Sequence, residues 1–200
     1  MGAPLSTTSL RTAADLSYEP DDGLRRELHD GVVLVVPSPT DDHSWEVRTA
    51  DRALSATAPD DVYILQNVGV HVGLRRLYVP DLVVVYRDAA FHDNGYDPGG
   101  VLLAVEVVSP SWMTLDRITK PAVYAEQGIP FYWRIEAEPR LFCHRLDPAT
   151  STYALDLELA PGKKVDLTEP WSLTVDMGEL ESLAVHLVRT VATLRPRLSR

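Results

Sequence analysis

The chain has 200 residues, 45% of them apolar and 24% charged, enough for one α/β-type domain with a real core; its one cysteine, Cys143, excludes an intrachain disulfide framework and a multi-cysteine zinc site. Met1 to Thr8 lacks a basic and apolar leader, and no stretch approaches roughly 18 uninterrupted apolar residues, which points away from secretion and membrane spans and toward a cytoplasmic setting. A formal net charge of −10, with a pI near 5.0, opposes non-specific attraction to nucleic acid, because the phosphate backbone is itself a dense anion.

Residues 1–20 read as a poorly ordered segment with a short helix near Leu10 to Leu16, and residues 21–200 as a single domain. Leu24 to Pro37 reads as a hairpin, since Asp30-Gly31 is a favoured two-residue turn between two strand-like runs. Asp41 to Ala58 carries Trp45, Val47, Ala50, Leu54 and Ala58 at helical spacing, with Thr40 or Asp41 as its cap. Val62 to Leu65 and Val68 to Val72 are short strands. After the loop Asp88 to Gly100 come a strand and then a helix that stops near Gly128. Phe131 to Glu136, Leu141 to Leu146, Thr152 to Leu159 and Leu173 to Val175 follow as strands, and Gly178 to Leu194 as an amphipathic closing helix. Its tail carries Arg189, Arg195, Arg197 and Arg200, which read as a solvated end.

Two acids stand out against this pattern. Asp81 lies in Val79-Pro80-Asp81-Leu82-Val83-Val84-Val85-Tyr86, and Glu106 in Val101-Leu102-Leu103-Ala104-Val105-Glu106-Val107-Val108. Such runs read as buried strands, and a buried carboxylate needs a cation, a metal or a hydrogen-bond cage. Two acids on neighbouring strands suggest a shared cation. In the helix that follows, Asp116 and Lys120 are four apart and share a face, while Leu115, Ile118, Ala122 and Ala125 form the expected core-facing stripe. Carboxylate oxygens suit hard cations such as Mg²⁺ or Mn²⁺, and a nearby ammonium orients water and offsets phosphate charge. The arrangement reads as metal-assisted phosphodiester hydrolysis.

An ordered set of pieces carries a family resemblance: Glu27-Leu28-His29-Asp30-Gly31, Ser38-Pro39 with His43, Pro80-Asp81, Val105-Glu106-Val107-Val108-Ser109-Pro110-Ser111, Asp116-Arg117 with Lys120 and Tyr124, and Gly128-Ile129-Pro130-Phe131-Tyr132-Trp133. Over residues 20–160 the chain resembles the Uma-type family of restriction endonucleases, a branch of the PD-(D/E)XK nuclease superfamily. That resemblance implies a restriction-endonuclease-like α/β (α+β) fold, a mixed sheet flanked by helices, with an N-terminal hairpin and a C-terminal helix. It implies Mg²⁺ or Mn²⁺ as cofactor, DNA as substrate and a homodimer.

Carried over, Asp81 and Glu106 are the metal ligands. The superfamily's lysine stands two residues after the glutamate, where this sequence has Val108; in the family it is moved onto the next helix, which points to Lys120. Pro121 then requires the helix to begin close to Lys120 or to kink there. Glu27, His43 and Asp116 are accessory candidates. Each has a plainer reading: a solvent-facing hairpin residue, a polar group at a helix start, and a charge on the N-terminal dipole. Trp112, Tyr132 and Trp133 read as packing or an interface rather than as base-stacking platforms. Two other functions stay open: a catalytically silent nuclease-fold dimerisation or binding module, and a metal-dependent hydrolase of a non-DNA substrate.

Overall fold

The computed structural model describes residues 10–19, 22–136 and 140–180. The predicted closing helix beyond Leu180 and the four tail arginines lie outside the described residues. A 3-10 turn, Ala13–Tyr18, is where the short N-terminal helix is expected, and it buries Ala13 and Leu16 against Leu28 and Leu77.

The predicted hairpin is present as β1 (Arg25–His29) and β2 (Val32–Val36), with Leu28 opposite Val33. Its turn residues Asp30 and Gly31 both have positive φ, 49° and 87°, which matches the right-handed twist of the strands. A side chain at position 31 would also strike Leu10, since its Cβ would lie 2.7 Å from that of Leu10. Helix α1 (Asp41–Ser55) begins at Thr40, whose hydroxyl accepts from the His43 N–H, and it buries Val47, Ala50 and Leu54.

Strands β3 (Val62–Gln66), β4 (Gly69–Gly73), β5 (Arg76–Tyr78), β6 (Leu82–Tyr86), β7 (Phe91–His92), β8 (Gly95–Tyr96) and β9 (Val101–Val107) follow. The chain then passes through wide turns at Leu115–Thr119 into α2 (Lys120–Glu126) and β10 (Phe131–Glu136). Strands β11 (Arg140–Asp147), β12 (Thr152–Leu159), β13 (Lys164–Leu167) and β14 (Leu173–Asp176) complete the described chain. Strand β13, the three-residue β5, and the two-residue β7 and β8 inside the expected loop Asp88 to Gly100 are additions to the sequence pattern, being too short to show a period.

Among the described residues two six-stranded sheets and the two-stranded pair β13-β14 result. One six-stranded sheet has the order β2-β1-β5-β4-β8-β7, the other β12-β11-β10-β9-β6-β3. In the second, β9 runs parallel to β10 and antiparallel to β6, so the sheet is mixed and the fold is α+β, as expected. All seven residues of β9 are buried. One face of this sheet packs Leu82, Val84, Val105 and Val107 on α1 and on Leu173 and Val175 of β14. The other packs Val83, Val85 and Ala104 against Val123 and Tyr124 of α2 and Val70, Val72 and Tyr78 of the first sheet. Each fully buried Val or Leu contributes about 1.5–3 kcal/mol, so burial of both faces fixes the strand register firmly.

The expected apolar stripe of the second helix is met at Ala125, which is buried, and in part at half-buried Leu115, but not at its other two positions. Ile118 is 66% exposed and Ala122 is exposed, whereas Asp116 and Lys120 are buried. The physical reason is that this charged face meets compensating charges on β1 and β9, so the ion cluster rather than Ile118 faces inward. Pro121 is the second residue of α2, which continues directly from the wide turns of Leu115–Thr119, the Lys120 N–H donating to the Leu115 carbonyl.

Candidate active site

Alternation along β9 sends Val105 and Val107 to the α1 side and Glu106 to the α2 side. Asp81 directly precedes β6. The pairing of Leu82 with Val105, carried one residue on, puts Asp81 opposite Glu106 on the same face. The link is direct, because the Val107 N–H donates to Asp81 Oδ2 at 2.9 Å.

Asp81 Oδ1 accepts two more bonds, from Arg25 Nη1 at 2.9 Å and from His43 Nε2–H at 3.2 Å. Burial alone would raise the Asp81 carboxyl. The His43 bond and charge, with Arg25 and Lys120, outweigh that and hold it down at about 2. Asp81 is therefore ionised across the physiological range.

The second acid belongs to a lysine-centred group. Lys120 Nζ lies 3.0 Å from Glu106 Oε1, 3.1 Å from Glu27 Oε1 and 3.4 Å from Asp116 Oδ1, and all four residues are at most 4% exposed. Glu106 Oε1 also accepts from Tyr124 Oη at 3.2 Å. Glu27 is anchored by the Val79 N–H at 3.2 Å and by His29 Nε2 at 2.8 Å, and the Tyr132 hydroxyl fixes the Asp116 carbonyl.

One ammonium cannot neutralise three carboxylates, and their proton affinities separate accordingly. Burial pushes Glu106 well above the usual carboxylate range, and the charges of Asp116, Asp81 and Glu27 add to it against Lys120. Burial likewise lifts Asp116 to about 6. Glu27 goes the other way: burial raises it, but Lys120 and His29 outweigh burial. Burial disfavours the charged form of Lys120, yet the surrounding acids raise its affinity for its proton, so it stays an ammonium.

All six residues singled out in the sequence thus come together: Asp81 with His43, and Lys120 with Glu106, Glu27 and Asp116. Sequence reasoning missed Arg25, His29 and Tyr124 as parts of the site. The signals were present in the spacing. Arg25, Glu27 and His29 share one face of β1 at period two, and Asp116, Lys120 and Tyr124 recur every four residues.

The donor set is hard carboxylate oxygen, and the four acids outnumber the permanent cations Lys120 and Arg25. That chemistry fits a hard divalent cation. Among the described residues no group of three or more acidic, histidine or cysteine side chains is arranged to hold a metal. Mg²⁺ does not require one, since it is commonly held by one or two carboxylates together with waters and substrate phosphates.

Comparison with known proteins bears on this arrangement. Residues 14–178 match the Uma2 family, described as "Putative restriction endonuclease". A solved structure from Anabaena variabilis ATCC 29413, described as "a putative nuclease belonging to DUF820", is similar over 84% of this chain and 96% of its own. It superposes with a TM-score of 0.62 at 16% identity, which is a likeness of fold. No curated protein matches the sequence.

Proposed function

As the chain belongs to the Uma2 family, we propose that it is an endonuclease that hydrolyses DNA phosphodiester bonds with Mg²⁺ or Mn²⁺ as cofactor. The observation that supports this most is the buried convergence of Asp81 and Glu106 beside a lysine held charged among acids.

Asp81 and Glu106 would hold the cation. Bound there, it would polarise a phosphoryl oxygen and acidify a coordinated water. The protein's own groups do the rest. Asp81 enters in its ionised form and is oriented by the Val107 N–H, so its free energy of ligation is not spent on deprotonation or on fixing a rotamer. Glu106 has its Oε1 fixed by Lys120 and Tyr124. Lys120 is the group that orients the attacking water and offsets the charge that builds on the phosphate, the role of the superfamily's strand lysine. Glu27 and Asp116 are positioning residues, since they touch Lys120 and keep its ammonium in place. His43 and Arg25 stand on the Asp81 oxygen that faces them.

Calorimetric titration of Mn²⁺ into the wild-type protein, Asp81→Asn and Glu106→Gln tests the site, beside DNA cleavage assayed with Mg²⁺ and with chelator. Saturable binding lost in both variants, with metal-dependent cleavage, is the expected result. A wild-type protein that neither binds Mn²⁺ nor cleaves DNA in its presence would leave a silent nuclease-fold module.

A further inference from the structure

Beside Asp81 lies a cavity of about 680 Å³, which the hydrolytic centre alone does not account for. Its volume is that of a small-ligand pocket, far too small for a duplex whose major groove alone is about 12 Å wide. The lining divides by chemistry. Arg25 and His43 bring donors, Gln66 and Asn67 bring side-chain amides, and Trp112 with Pro110 brings apolar surface.

These groups are tied to the acid centre. Arg25 Nη1 bonds both Asp81 Oδ1, at 2.9 Å, and Asn67 Oδ1, at 3.0 Å, so one guanidinium joins the metal-ligand candidate to the β3–β4 turn. Asn67 has φ 55°, the left-handed conformation that asparagine adopts readily in a tight turn. The Arg25 side chain remains 25% exposed, and a guanidinium meets a phosphate in the same planar geometry in which it meets a carboxylate.

We propose that this cavity receives one unpaired DNA nucleotide, its phosphate held by Arg25 and its base by the amide and aromatic lining. The substrate class is then DNA with a single-stranded, frayed or extruded nucleotide at the point of cleavage. The proposal rests on the nuclease reading above. Trp112, which the sequence suggested as packing or an interface, supplies a face on which any base can stack, while Gln66 and Asn67 offer groups that match base edges. The net charge of −10 agrees with it: a chain this acidic is poorly suited to tracking a long duplex backbone, whereas one phosphate and one base need only local cations and a stacking surface.

The test is fluorescence-anisotropy binding, in chelator, of a short single-stranded oligonucleotide and of a closed dumbbell duplex of the same sequence, its ends joined by non-nucleotide linkers so that it has neither ends nor unpaired nucleotides. The wild-type protein should bind the single strand about tenfold more tightly than the dumbbell. Trp112→Ala should lose about tenfold of that affinity, the scale of one stacking contact. Arg25→Gln should lose a similar factor and lower the salt slope by about one, Arg25→Lys should recover part of it, and Mn²⁺ binding should persist in Trp112→Ala. Trp112 is outside the acid cluster, so its variant reads the pocket even if Arg25→Gln folds poorly. A dumbbell bound as tightly as the single strand, or both variants binding like wild type, overturns the proposal. In that case metal-dependent cleavage of the dumbbell would leave the nuclease reading standing, whereas no binding or cleavage of either DNA would remove both.

Discussion

Lys120 Nζ lies 3.0 Å from Glu106 Oε1, with both residues almost wholly withdrawn from solvent, although fourteen positions separate them in the chain. A lysine two residues after the glutamate would reach the same region from the strand itself, but Val108 stands there. Here the start of α2 delivers the ammonium instead, to a point also reached by Glu27 from β1 and Asp116 from the turn before the helix.

Removal of that ammonium leaves three buried carboxylates without their shared cation. Lys120→Met should lower unfolding stability by about 3–5 kcal/mol, the cost of breaking a buried ion pair from one side. Lys120→Met with Glu106→Gln should recover part of the loss, and Glu106→Gln alone should stay folded, because it relieves like-charge repulsion. Urea denaturation of the two single variants and the double variant measures this; equal, additive losses would mean the two groups do not interact.

Asp81→Asn keeps an acceptor for the Val107 N–H but removes the charge that Arg25 and His43 face. Its fold should survive. Mn²⁺ affinity should drop by about a hundredfold or more, on the scale at which even outer-shell changes cost about 10–100-fold. Retained affinity in calorimetry would place the metal elsewhere.

Glu46, half-buried on α1, gives a pH signature apart from the acid cluster. Burial raises its carboxyl to about 7, with Asp42 adding to the rise and His43 opposing it. The folded state therefore binds its proton more tightly than the unfolded chain does. The stabilisation from this group is complete below the ordinary value of 4.5 and is lost as pH rises toward about 7. Glu46→Gln should accordingly raise the melting temperature clearly at about pH 8 and much less at about pH 5. A gain of equal size at both values would mean that the ionisation of Glu46 is not the cause.

Thr40→Ala removes the acceptor for the first-turn His43 N–H of α1, 3.2 Å away. A loss of about 1 kcal/mol is expected from the cap. Because the same turn carries His43 to Asp81, the histidine chemical shifts in NMR spectra should move as well; a stability loss with unmoved resonances would separate the cap from the site.

The local parts of this protein follow from short-range patterns. The apolar runs of β2 and β9, Asp30-Gly31 at the hairpin and Thr40 before α1 each act within a few residues, where backbone sterics and hydrogen bonding decide the outcome, and each is present where expected. The acids also announced themselves, since a carboxylate amid valines is costly without a partner. The choice of partner belonged to tertiary structure. Apolar spacing assigned Ile118 and Ala122 to the core, yet the face of Asp116, Lys120 and Tyr124 turned inward, because acids from β1 and β9 were waiting there. Arg25 looked like one charge among several in a hairpin, and became a contact of Asp81 through a separation of 56 residues. Periodicity reports how much of a face is apolar; it carries no information about a charge on a distant strand that makes burying a polar face favourable.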